Sequence, residues 1–97
     1  MSAFLISRTI VKDPGKFQEY AAAAGPTIAA HGGRVVQRGA FVKALIGDKA
    51  AHATGILEFP DMAGAEAWFA SPDYQALAPL RDEACDMELL AYQAPAS

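Results

Sequence analysis

Three charged residues stand inside stretches rich in apolar and β-branched residues: Arg8 within 3–11, Arg38 within 34–45 and Glu58 within 52–59. A charge in such a setting needs a partner, because an unpaired ion loses its hydration with nothing in return. If the stretches are strands, alternation puts all three side chains on the side that carries Ile6, Val36 and Ile56. Two guanidinium groups and one carboxylate facing one cavity would leave surplus positive charge, suited to a carboxylate, phenolate or enolate. The same residues would serve equally well as a structural ion-pair network.

His31 precedes Gly32-Gly33, where a helix should end. An imidazole there can cap the helix, or act as a general acid or base with a pKa near neutrality. In a catalytic version His31 or Glu58 moves a proton while an arginine holds the developing oxyanion. Tyr74 has a hydroxyl that could reach Arg81 or a ligand, so Arg8, Arg38, Tyr74 and Arg81 are the ligand-binding candidates. Trp68 and Phe69 fall at helical spacing and read as core or interface. Cys85, flanked by Glu83 and Asp86, reads as a small buried hydrophobe with a raised pKa. His52 has no second ligand at metal-like spacing, so no metal is assigned. No glycine-rich phosphate loop or nucleophile elbow is present, and NAD, FAD, ATP or any other cofactor is not indicated.

These residues must be positioned by local elements. Ala3 to Val11 reads as a strand, and Asp13-Pro14 opens a helix as cap and first helical residue. Phe17, Tyr20, Ala21, Ala24 and Ile28 form its apolar face, with a break expected near Gly25-Pro26 and a restart ending at His31. Arg34 to Leu45 and His52 to Phe59 read as a strand hairpin joined through 46–51. Pro60-Asp61 opens a helix carrying Met62, Ala65, Trp68 and Phe69. Ser71-Pro72 opens another that runs through Tyr74, Leu77, Leu80 and Arg81, with Pro79 as a kink. Met87 to Gln93 is the last strand, and 94–97 reads as a loose tail.

The resulting order, βαββαβ, is the ferredoxin-like α+β plan: a four-stranded antiparallel sheet with helices on one face. Alternation makes both sheet faces apolar, Leu5, Val35, Leu57 and Phe59 on one and Phe4, Ile6, Ile10 and Ile56 on the other. The face without helices should therefore stack on a second copy, giving a homodimer. Ninety-seven residues, 53% apolar and 20% charged with net charge −3, fit one globular domain spanning 1–97. The eight Lys and Arg are scattered singly, so nucleic acid is not expected as a partner. No run approaches the about 20 apolar residues of a bilayer span, and no signal peptide or membrane segment is expected. A single cysteine suits the cytoplasm.

Several stretches together carry a resemblance: Asp13-Pro14 with Phe17 and Tyr20, Gly25-Pro26 through His31-Gly32-Gly33, and Ile56 to Pro60. Ala67-Trp68-Phe69 and Ser71-Pro72-Asp73-Tyr74-Gln75 through Arg81 complete it. The chain resembles the domain-of-unknown-function family numbered 1330, of the dimeric α+β barrel superfamily. The resemblance implies a dimeric barrel of ferredoxin-like subunits and no particular reaction, since the superfamily holds cofactor-free monooxygenases, isomerases and haem-handling proteins. The resulting expectation is a dimer binding a small anionic or aromatic molecule in the cavity between sheet and partner, with cofactor-independent monooxygenase- or isomerase-like chemistry. The competing expectation is a non-catalytic structural or regulatory dimer. A cavity of hundreds of cubic ångströms with convergent polar groups would separate the two.

Overall fold

The computed structural model describes residues 2–95. The first strand, β1 (Ala3–Val11), ends where Asp13 caps α1 (Pro14–Ala30) by accepting the Lys16 N–H at 3.1 Å. The stripe Tyr20, Ala24, Ile28 buries the helix against the sheet. α1 runs unbroken through Pro26, contrary to the break expected there. A proline ring normally clashes with the Cβ of the residue before it, and Gly25 has none. The Thr27 hydroxyl also donates to the Ala24 carbonyl at 2.7 Å, inside the turn that the proline disturbs.

At the helix end Gly32 adopts a φ of +80° and its N–H donates to the Ala29 carbonyl, while Gly33 donates to Ile28. A Cβ on Gly33 would lie 2.5 Å from the Phe59 ring, so the chain can pass this close to the core only as glycine.

β2 (Arg34–Ala40) and β3 (Ala53–Phe59) form the expected antiparallel hairpin, but β2 stops five residues short of Leu45. The last rung is Phe41 N–H to the His52 carbonyl. Beyond it the 41–52 segment is held instead by β1: Arg8 donates to the Lys49 carbonyl, and Val11 N–H donates to His52 Nδ1 at 3.0 Å. Within β2 the register slips at Val36, so that Arg34 faces Glu58 but Gln37 faces Ile56. This bulge places Gln37 where alternation expected Val36.

Asp61 caps α2 (Met62–Ala70) through the Gly64 N–H. The single helix expected from Ser71 is two short ones, α3 (Pro72–Gln75) and α4 (Ala78–Ala84). Pro79 lies in the first turn of α4 rather than kinking a longer helix, a position where its missing N–H costs nothing. β4 (Cys85–Gln93) starts two residues earlier than expected. Of the expected tail, Ala94 N–H donates to the Ser2 carbonyl and residues 96–97 lie outside the described residues.

The sheet is antiparallel, ordered β2-β3-β1-β4, with the helices on one face: a ferredoxin-like βαββαβ fold. The core lies between sheet and helices, around Leu5, Tyr20, Ile28, Phe59, Trp68 and Tyr74. The other face carries Phe4, Ile6, Ile10, Ile56, Leu90 and Tyr92, with the Phe4 and Tyr92 rings stacked 5.5 Å apart. No helix among the described residues is long and apolar enough to cross a membrane.

Candidate functional site

A cavity of about 450 Å³ lies beneath α1, on the helix side of the sheet. Its floor is two cross-strand rows, Arg38–Gly55–Ser7–Leu89 and Ala40–Ala53–Thr9–Met87. Small residues at 7, 40, 53 and 55 lower the floor, and Ala21, Ala24 and Gly25 thin the roof. The void results from this pairing of small residues across the layer, since larger side chains at these places would fill it. Trp68 closes one wall, with its indole N–H donating to the Thr27 hydroxyl at 3.0 Å.

One polar feature of this cavity is Tyr20. Its hydroxyl lies 2.7 Å from that of Tyr74, which is fully buried and accepts from Arg81 Nη1 at 3.2 Å. Arginine has only donors, so Tyr74 accepts from Arg81, while in the bond between the two hydroxyls either oxygen can be the donor. The Tyr20 hydroxyl also lies 4.0 Å from the Met87 sulfur, a weak acceptor on the cavity wall. Burial, then the Tyr74 hydrogen bond, push the Tyr20 pKa well above the ordinary tyrosine value. Tyr20 is thus a neutral hydroxyl on the cavity wall, linked through Tyr74 to the partly exposed Arg81 guanidinium, which also pairs with Asp82.

The six sequence candidates divide. Tyr74 and Arg81 meet, as their spacing allowed, and reach the cavity only through Tyr20, which the sequence marked as a helix-face residue and nothing more. Arg38 lines the cavity, so it does not share a side with Arg8 and Glu58; the bulge at Val36 turns it to the helix side. Arg8 and Glu58 are on the open face, four strand residues apart and separated by the Ile6/Ile56 row. Each has its own partner: Arg8 donates to Glu88 at 3.0 Å, and Arg34 donates twice to one Glu58 oxygen, at 3.0 and 2.7 Å. They form two separate ion pairs, with no shared cluster around a ligand. His31 caps α1 and sets Nε2 3.6 Å from Asp73 at the start of α3. Hydrogen bonding by Ser71 holds the Asp73 carboxyl below the usual range, and His31 adds to this. Neither His31 nor Glu58 lines the cavity.

Cys85 is buried, and burial raises its pKa further from reactivity. Among the described residues no three His, Cys, Asp or Glu side chains gather as a metal site.

Fold and cavity together define a ferredoxin-like α+β protein with a ligand-sized chamber between its layers. Residues 2–94 match the family described as a domain of unknown function, DUF1330, and the chain belongs to that family. Among solved structures, a protein of unknown function from Rhodopseudomonas palustris superposes with TM-score 0.83 at 22% identity, over 99% of this chain and 84% of that one. SnoaB from Streptomyces nogalater, a cofactor-independent oxygenase, gives 0.73 at 18% identity, over 99% and 95%. A dimeric ferredoxin-like protein of unknown function from Jannaschia sp. CCS1 gives 0.74 at 11%, over 97% and 100%. At these identities the likeness is one of fold. No curated protein matches the sequence.

Proposed function

We propose that this protein binds a small aromatic molecule carrying an oxygen acceptor in the chamber beneath α1, with Tyr20 donating to that oxygen. The observation that carries this reading is the Arg81–Tyr74–Tyr20 chain, which ends at the cavity wall on a hydroxyl whose one further neighbour is a thioether. A chamber of about 450 Å³, apolar apart from a few convergent polar groups, is of the size that encloses such ligands. A neutral phenol backed by a cation is also able to stabilise negative charge developing on a ligand oxygen. The likeness to SnoaB, described as a cofactor-independent oxygenase, is consistent with chemistry of that kind. Isomerase-like proton shuttling has less support, because no Asp, Glu, His or Lys among the described residues lines the chamber.

The proposal includes a homodimer formed through the open apolar face, supported by the Jannaschia relative being described as dimeric, and a cytoplasmic setting, supported by the unpaired Cys85. The alternative, a dimer without a ligand, would have no use for an open chamber.

Trp68, the only tryptophan, stands on the chamber wall and reports occupancy directly. Flavone, a neutral aromatic ketone, is expected to quench its emission. Tyr20→Phe should weaken binding about tenfold, the worth of one hydrogen bond of about 1.4 kcal/mol. Ala21→Phe, which fills the roof, should abolish it. Quenching that is absent, or that survives Ala21→Phe, would sink the reading.

A further inference from the structure

The bulge at Val36 changes what the chamber can recognise. Had β2 kept strict alternation, Arg38 would face away with Ile56; instead it pairs with Gly55 and joins the cavity floor at its exposed end. Glycine opposite it offers no side chain to cover or engage the guanidinium, and the next residue in the row is Ser7. Gln37, its neighbour on the opposite face, turns its Oε1 back to the Arg38 backbone N–H at 3.0 Å. No carboxylate among the described residues forms an ion pair with Arg38, whereas Arg8, Arg34 and Arg81 each have one. Among the described residues no acidic side chain lines the chamber. A planar five-donor cation thus stands at the rim of an apolar chamber with its donors uncommitted.

We infer that the ligand is an aromatic anion whose carboxylate or sulfonate is held by Arg38 at the rim while its ring system lies over Gly55, Ala53 and Ser7. This rests on the chamber being the binding site and adds the charge of the ligand and the residue that reads it. Tyr20 and Arg38 then grip opposite features: a neutral acceptor oxygen in the interior and an anionic group at the entrance.

Two fluorescent probes of one skeleton separate the two readings. 8-Anilinonaphthalene-1-sulfonate and N-phenyl-1-naphthylamine differ by the sulfonate alone. Wild-type protein should bind the sulfonate about tenfold more tightly than the neutral probe. Arg38→Gln, a substitution at an exposed position, should erase that preference by weakening the sulfonate and leaving the neutral probe unchanged. The preference should also shrink as salt rises, since the pair is at the rim and open to screening. Ala21→Phe controls for probe lying on the open sheet face and should remove both signals. If the neutral probe binds and Ala21→Phe displaces it, but the sulfonate gains nothing from Arg38, the anion inference is overturned and the chamber reading stands. If Ala21→Phe changes neither probe, the chamber reading itself falls.

Discussion

Tyr20 decides the account at the level of single residues, and its chemistry has a pH signature. Folding keeps its proton to higher pH than an unfolded tyrosine would. Its contribution is therefore intact below the ordinary tyrosine pKa of about 10 and is lost as pH rises beyond it. At pH 7 Tyr20→Phe removes the hydrogen bond shared with Tyr74 and should cost about 1 to 2 kcal/mol. Urea unfolding of wild type and Tyr20→Phe from pH 7 to 11.5 should show that difference narrowing above pH 10. A difference that stays constant would mean that the Tyr20 phenol is not held neutral by the fold. His31 works differently: its imidazole is tied to Asp73 beyond the chamber, so it fastens the end of α1 to the start of α3.

Sequence signals found the elements wherever a local rule governs them. Asp13-Pro14, Asp61 and Ser71-Pro72 each cap a helix as their residue types require, and the β1 boundaries follow from composition. Three features were out of reach. The unbroken α1 depends on Gly25 relieving the clash of Pro26, whereas Gly-Pro by itself reads as a break. The bulge lies in Arg34-Val35-Val36-Gln37, which contains no glycine or proline to announce it, and one extra residue there reversed the side assigned to Arg38. The early end of β2 comes from Arg8 and Val11 of a distant strand taking hold of Lys49 and His52, a tertiary effect that the apolar letters of Phe41 to Leu45 conceal. The chamber is invisible for a related reason. Ala21, Ala24, Ala40, Ala53 and Gly55 each look ordinary in their own element, and only their meeting across the layer leaves space. Tyr20 likewise shows its role only once Tyr74 and Arg81 arrive from other helices.

The whole subunit buries one sheet face under helices and leaves the other apolar. Ile6 and Ile56 pair at its centre, flanked by Leu90 and Tyr92, both partly exposed. The 41–52 segment adds Val42 and Ile46, exposed to 85% and 96%. In the proposed dimer a second copy covers this apolar surface. Sedimentation equilibrium should give twice the chain mass, and Ile6→Asp, which sets a charge at the centre of the face, should give the monomer; a wild-type monomer would contradict the face-to-face dimer. Such a dimer leaves the chambers on the outer, helix-bearing sides of the paired sheets, so ligand entry and assembly use opposite faces of each sheet. The most direct test of that arrangement is a map of backbone amide shifts as flavone is added to ¹⁵N-labelled protein. Ser7, Ala21, Ala53 and Gly55 should move while Phe4, Ile6, Ile56 and Leu90 stay in place. Shifts confined to the latter group, or none at all, would contradict it.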